Sequence, residues 1–273
     1  MSPTQHRASG RPTEHKARKR FGQNFLVDER LIHRIVRSIA PRADDNLIEI
    51  GPGKGAITGL LLEHCETLNV IELDRDLIPI LLAQFAKYTE FNIHQTDALK
   101  FDFATLWRDQ APLRIVGNLP YNISTPLIFH LLSYQEKVQD MHFMLQKEVV
   151  QRLAAVPGDK NYGRLSIMAQ YYCSVENLFE VPPESFQPAP KVDSAIVRLT
   201  PHTVLPHPVH HLSKLENLVR TAFSQRRKTL RNSLKALEVN FDDNNFTIDL
   251  TKRAENLSLL DYTTLCNEIW PAE

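Results

Sequence analysis

Apolar residues in this chain fall into short runs of four or five, and between them they recur every third or fourth position. The runs Leu47–Ile50, Leu68–Ile71, Asn92–Gln95, Leu113–Val116 and Met141–Leu145 read as strands. The spacings over Ile57–Glu63, Leu77–Phe85 and Glu148–Leu153 read as helices between or after them. An earlier helix runs through Leu31, Ile32, Ile35, Val36 and Ile39, with Asp28 placed to cap it and Pro41 to stop it. Two late strands, Tyr171–Val181 and Ser194–Leu199, flank the proline-rich loop Pro182–Pro190 and are expected to pair antiparallel. Alternation of this length predicts an α/β fold, a mostly parallel sheet with helices on both faces. Pro201, Pro206 and Pro208, interleaved with His202, His207, His210 and His211, mark a linker. Beyond it Leu212–Phe223, Leu230–Leu237 and the segment to Trp270 are helical by pattern. The expected division is a flexible basic arm over 1–20, an α/β domain over 21–202 and a small helical domain over 203–273.

Composition leaves this picture intact: 42% hydrophobic and 23% charged residues in 273 suit a chain that buries a real core. No apolar run approaches the ~20 residues that span a bilayer, and the polar N-terminus has no secretory h-region. Cys65, Cys173 and Cys266 are widely spaced and form no CxxC pair, which disfavours a disulfide framework or a zinc site and suits the cytoplasm. The irregular histidines of the linker lack carboxylate or thiol partners, so no metal is expected there. Charge changes the picture more. The formal total is zero, yet residues 1–22 hold six Lys/Arg against Glu14 alone, and residues 224–235 hold five basic and no acidic residues. Two basic patches of this kind suit polyanions, although a solvated tail and a solvated helix face explain either one equally well.

Between the first strand and its helix lies Glu49-Ile-Gly-Pro-Gly-Lys-Gly55. Glycines there admit a ligand close to the backbone, and the following helix supplies N–H groups. Glu72 ends the next strand 21 residues after Gly51, where a carboxylate grips a ribose diol. Pro52 removes a donor that a pyrophosphate would use, so a cofactor without phosphates, S-adenosylmethionine, fits better than a dinucleotide. Asp97, at the end of the third strand, is placed to accept from an adenine amine or to cap the next segment.

The fourth strand delivers Asn118-Leu-Pro-Tyr121, followed by Ser124 and Thr125 as candidate caps and Pro126 in the first turn of a helix. Adenine N6 is a poor nucleophile because its lone pair is delocalised. The Asn118 side-chain oxygen and the Pro120 carbonyl would accept its two N–H bonds and favour a pyramidal nitrogen, while Tyr121 stacks on the base. This chemistry needs neither a metal nor a strong base. A buried turn with Tyr121 as a core ring is the bland alternative; the order glycine loop, Glu72, Asp97, Asn118 favours the site.

With these residues stand Phe21-Gly-Gln-Asn-Phe-Leu26, Val70-Ile-Glu-Leu-Asp-Arg-Asp76, Met144-Leu-Gln-Lys-Glu148, Tyr162-Gly-Arg-Leu-Ser166, Phe186-Gln-Pro-Ala-Pro-Lys-Val-Asp-Ser-Ala195 and Phe223-Ser-Gln-Arg-Arg-Lys-Thr-Leu-Arg-Asn232. In this order they resemble the ribosomal RNA adenine N6,N6-dimethyltransferases, most closely the bacterial small-subunit type; the tail after Leu237 matches least well. The resemblance implies a Rossmann-like S-adenosylmethionine-dependent methyltransferase sheet with a C-terminal helical domain that binds RNA. It implies dimethylation of two adjacent adenosines in the 3′-terminal hairpin of small-subunit (16S) rRNA, with a part in small-subunit biogenesis. The implied partners are that rRNA and the immature small subunit; no membrane is involved, and a monomer is expected. Carried over by position, Asn24, Leu26, Gly51, Glu72, Asp97 and Asn118 would contact the cofactor. Asn118, Tyr121 and Phe186 would hold the target adenine, with Phe186 as the second face of an aromatic clamp. Arg226, Arg227, Lys228 and Arg231 would meet phosphates. The rivals are a large-subunit rRNA adenine methyltransferase, a DNA adenine methyltransferase, a mainly non-catalytic ribosome-assembly factor and a nicotinamide oxidoreductase. The Phe223–Asn232 run and Lys191-Val-Asp-Ser194 favour the small-subunit type over the first.

Overall fold

A computed structural model of the chain describes residues 23–107, 111–237, 239, 241 and 246–272. The basic arm read over 1–20, Phe21-Gly22, residues 108–110 and part of the tail after Leu237 lie outside the described residues.

Seven strands form one sheet. They are β2 (Asn46–Ile50), β3 (Leu68–Glu72), β4 (Phe91–Gln95), β5 (Leu113–Asn118), β6 (Val138–Gln146), β7 (Cys173–Val181) and β9 (Ser194–Pro201), in the spatial order β4-β3-β2-β5-β6-β9-β7. Pairing is parallel from β4 through β6, and β9 runs antiparallel to both β6 and β7. The antiparallel pair is the one expected from the short connection between the late strands. A separate two-stranded ribbon joins β1 (Phe25–Leu26) to β8 (Phe186–Gln187).

The central strands read as unbroken apolar runs because both their faces are covered. Ile48, Ile50 and Ile115 pack with α4 (Ser124–Leu132) and α5 (Lys147–Leu153) on one side. Leu47, Val70 and Val116 pack on the other with α1 (Glu29–Ile39), α2 (Thr58–Leu62) and α3 (Ile78–Gln84). The predicted cap of α1 is present: Asp28 Oδ1 accepts from the Arg30 and Leu31 N–H groups at 2.9 and 3.1 Å.

Three expectations are corrected. Tyr171 and Tyr172 do not open a strand; they end α6 (Arg164–Tyr172), a helix the pattern did not show. Leu165 and Ala169 of α6 face the sheet, while Ile167, Met168 and Tyr171 face the C-terminal helices. A helix apolar on two sides carries no single stripe to detect. Neither Ser124 nor Thr125 caps α4, whose first flanking residue is Ile123. Ser124 already lies in the helix and instead donates to the Tyr121 carbonyl at 3.1 Å. Of Leu230–Leu237 only α8 (Leu230–Ser233) is α-helical, and the rest tightens into a 3₁₀ turn. The remaining helices are α7 (Leu212–Ala222) and α9 (Leu259–Ile269). With α6 and Tyr162 they bury a second core around Leu218, Leu230, Leu257 and Tyr262.

Candidate active site

The carboxyl ends of β2, β3, β4 and β5 meet at one cleft of about 290 Å³. Gly51 turns the chain out of β2 at a φ of +68°, a conformation that favours glycine. Its N–H still reaches the Ile71 carbonyl at 2.9 Å, and a Cβ there would lie 3.5 Å from the Asn118 carbonyl oxygen. At Gly117 a Cβ would come within 2.4 Å of the Ile50 carbonyl oxygen, so only glycine lets β5 approach β2 here.

Glu72 closes β3 and is buried. Its Oε1 accepts from the Asp74 N–H at 2.8 Å and its Oε2 from the Gly53 N–H at 3.4 Å. Burial raises its pKa; the two N–H groups pull it back towards the anion, while the neighbouring Asp74 charge pushes it up again. The carboxylate is therefore oriented by the loop it faces. Asp97 accepts from the Leu99 N–H at 3.0 Å through Oδ1, so it does cap its segment while also lining the cleft.

Asn118 is the last residue of β5, one turn of the pleat beyond the expected strand. Its Nδ2 donates to the Asn24 carbonyl at 3.1 Å, which fixes the amide and leaves Oδ1 without a donor among the described residues. Gln23 Nε2 donates to Asp74 Oδ2 at 2.9 Å. Residues 23 and 24 are thus pinned to both lips of the cleft. The Pro120 carbonyl accepts from the Ile123 N–H at 3.1 Å, which occupies one of its two lone pairs.

The fold brings Asn24, Gly51, Glu72, Asp97 and Asn118 into the lining of this one cleft. Leu26 is not in it. It lies in β1 beside an adjoining cavity of about 50 Å³ that shares Asn24, Gly51, Gly53 and Asn118 with the first. Tyr121 leaves the cleft at Asn118-Leu-Pro and places its phenol 2.7 Å from Ser194 Oγ. Burial raises the phenol pKa, against which the Ser194 bond acts. Phe186 is 4% exposed, paired with Leu26 across the ribbon and packed in the core of the α1–α3 side. Its segment ends at Ser194, the residue that Tyr121 meets.

Sequence reasoning assigned no role to Gln23, Phe25, Leu73, Thr96, Asn122 or Ile123, all of which line the cleft. Gln23 and Phe25 lie in the Phe21–Leu26 run and Leu73 in the Val70–Asp76 run, where it is a large apolar side chain left 49% exposed between Glu72 and Asp74. The basic residues divide. Arg226 donates to the Lys160 carbonyl at 2.8 Å and stands 3.7 Å from Glu255, and Arg231 donates to the Phe241 carbonyl at 3.1 Å. Arg227 and Lys228 are exposed, with no side-chain partner among the described residues. Two linker histidines bond to carbonyls, His202 to Gln170 at 3.1 Å and His211 to Pro271 at 3.4 Å. Among the described residues no group of three or more His, Cys, Asp or Glu is placed to hold a metal, and no helix is long and apolar enough to cross a membrane.

The sequence profile of the family described as ribosomal RNA adenine dimethylase matches residues 14–270. The ribosomal RNA small subunit methyltransferase A of Saccharophagus degradans is 69% identical over 257 residues, 94% of this chain and 96% of that protein. The protein of the same name from Pseudomonas aeruginosa is 58% identical over 256 residues, with 94% and 96% covered. Among solved structures, a dimethyladenosine transferase from Plasmodium falciparum superposes with a TM-score of 0.75 at 28% identity, covering 88% of this chain and 95% of that one. A 23S rRNA methyltransferase shares the fold, with a TM-score of 0.70 at 22% identity over 90% and 99% of the two chains.

Proposed function

The chain belongs to the ribosomal RNA adenine dimethylase family, and from that membership we propose a residue-level account of how it methylates small-subunit rRNA. It is an S-adenosylmethionine-dependent rRNA adenine-N6,N6-dimethyltransferase with a Rossmann-like sheet, acting on two adjacent adenosines of 16S rRNA. The cleft suits that cofactor on its own chemistry. A buried carboxylate, Glu72, is held in place to accept from a ribose diol, Asp97 stands at the next strand end for the adenine amine, and Pro52 offers no N–H to a phosphate. Asn24, Leu26, Gly51 and Asn118 complete the binding set. When bound, S-adenosylmethionine supplies an electrophilic methyl group.

The chain's own part is to hold and prepare the nucleophile. Asn118 Oδ1 accepts one N6–H, and the second lone pair of the Pro120 carbonyl accepts the other. Two acceptors on one amine disfavour the planar nitrogen and turn its lone pair towards the methyl group. Tyr121 stacks on the base, worth ~1–3 kcal/mol, and this helps offset unstacking it from the RNA. Phe186 takes the opposite face; because it is buried, its segment must move to do so. This account needs no metal. RNA binding belongs to the helical unit over 203–273, with Arg226, Arg227, Lys228 and Arg231 towards the backbone and an immature small subunit as the particle recognised. The chain acts as a cytoplasmic monomer.

The observation that carries the reading is the Asn118 amide, locked by the Asn24 carbonyl so that its oxygen is the free end. Labelled S-adenosylmethionine offered with unmethylated small subunits, large subunits and duplex DNA tests the substrate: dimethyladenosine is expected in the small subunit alone. Asn118→Ala is expected to lower kcat by about 100-fold or more, the scale of losing one preorganised hydrogen-bonding group at a reacting centre. Full turnover by that variant would overturn the mechanism.

A further inference from the structure

Tyr121 is held at two points. Its carbonyl accepts from Ser124 Oγ at 3.1 Å, and its phenol oxygen lies 2.7 Å from Ser194 Oγ. Ser194 is fully buried. It opens β9 between Gln146 of β6 and Val181 of β7, so strand pairing on both sides fixes where its hydroxyl stands. The preceding residue, Asp193, offers its carbonyl to the Lys147 N–H at 2.9 Å, and Lys147 Nζ pairs with Glu180 at 2.8 Å. The partner of the phenol is therefore mounted on the interior of the sheet rather than on a loop. A ring anchored at its backbone and at its oxygen can flip about its own axis but cannot swing away.

We propose that Ser194 is a positioning residue for methyl transfer: its hydroxyl sets the Tyr121 ring where the target base stacks. The inference rests on the reading of Tyr121 as a stacking platform and extends it to a residue 73 positions away. It gives a physical role to the end of Lys191-Val-Asp-Ser194, a run that otherwise only marks the family. A hydroxyl that merely satisfied a buried phenol would affect stability and leave substrate handling alone. A positioning hydroxyl affects the target base and leaves the cofactor alone.

The test uses the full chain with unmethylated small subunits and compares Tyr121→Phe, Ser194→Ala, the double variant and Tyr121→Ala. Losing one neutral hydrogen bond corresponds to about a three- to tenfold effect. Each of the first two variants is expected to raise KM for the subunit by that factor, with kcat within about twofold and S-adenosylmethionine affinity unchanged. Because both remove the same bond, the double variant is expected to be no worse than either single one. If the two effects multiply, or if Ser194→Ala lowers Tm while leaving KM unchanged, the role of Ser194 is overturned. Should Ser194→Ala fail to fold, Tyr121→Phe breaks the same bond without touching the sheet, and an unchanged KM in that variant overturns the proposal. Tyr121→Ala separates the two layers. Full turnover at unchanged KM would sink the stacking reading itself, whereas loss of activity combined with multiplying single effects would sink only the assignment of Ser194.

Discussion

Glu49 stands two residues before Gly51, 2% exposed, with Oε2 accepting from Thr58 Oγ1 at 2.7 Å. Burial pushes its pKa up to about 8, the Thr58 bond lowers it and the Glu72 charge raises it. The folded chain thus holds this proton far more tightly than the unfolded chain, where the value is 4.5. Stability supplied by the protonated group is fully present below that value, declines as pH rises towards about 8, and is flat above it. The total is of the order of a few kcal/mol. Glu49→Gln keeps the shape and removes this group's titration, so urea unfolding is expected to show wild type losing more stability between pH 5 and 8 than the variant, in which only other groups such as Glu72 still titrate. A stability difference between them that stays constant with pH would mean that Glu49 is already ionised in the fold. At this scale the sequence was informative wherever chain order alone placed a group. Glu72 and Asn118 each end a strand, Asp97 stands two residues beyond the end of β4, and the parallel strands of the sheet deliver their ends to one edge. It was silent on Ser194 and Tyr121, and on Gln23 and Asp74, because those contacts join residues more than fifty positions apart with no periodic signal between them.

Elements were legible where one face differed from the other or where a run was apolar throughout, which covers β2 to β6 and α1. They were not legible in α6, which is apolar on two sides, nor at the start of α4, where Ser124 bonds backwards to Tyr121 instead of capping. Arg114 shows how a polar residue survives inside a fully covered strand. Its Nε and Nη2 donate to Asp140 at 3.0 and 2.9 Å, and its Nη1 reaches Asp45. The carbonyls of Ile39 and Ala40 at the C-terminal end of α1 accept from the remaining N–H groups. A cation at that end is favoured by the helix dipole. The cluster ties α1 to β5, and α1 follows directly on the segment that crosses the cleft at Asn24. Arg114→Met would leave the Asp45 and Asp140 carboxylates, each side chain at most 13% exposed, without their cation. The expected loss is about 3–5 kcal/mol, read as a lower urea midpoint. An unchanged midpoint would mean that the ion cluster contributes nothing net to the fold.

Over the whole molecule, a formal charge of zero conceals a separation of charge. The sequence located the basic run near 226–231 but could not divide it, because that depends on which backbone carbonyls the fold leaves within reach. All four are exposed, but Arg226 and Arg231 already donate to carbonyls of Lys160 and Phe241, whereas the Arg227 and Lys228 side chains have no partner among the described residues. Phosphate contacts displace condensed counterions, so each one adds roughly 0.7–0.9 to the slope of log affinity against log salt. Arg227→Glu with Lys228→Glu is therefore expected to weaken rRNA binding and flatten that slope by roughly 1.5, with Tm and S-adenosylmethionine affinity unchanged. Arg226→Glu is expected to behave differently, lowering Tm as well, because it removes the hydrogen bond to Lys160 and the ion pair with Glu255. Filter binding of the 3′-terminal rRNA hairpin over a series of salt concentrations separates the two cases. An unchanged slope in the Arg227/Lys228 variant would reduce that surface to a solvated turn before α8, and the RNA-binding face would then have to lie elsewhere around the cleft.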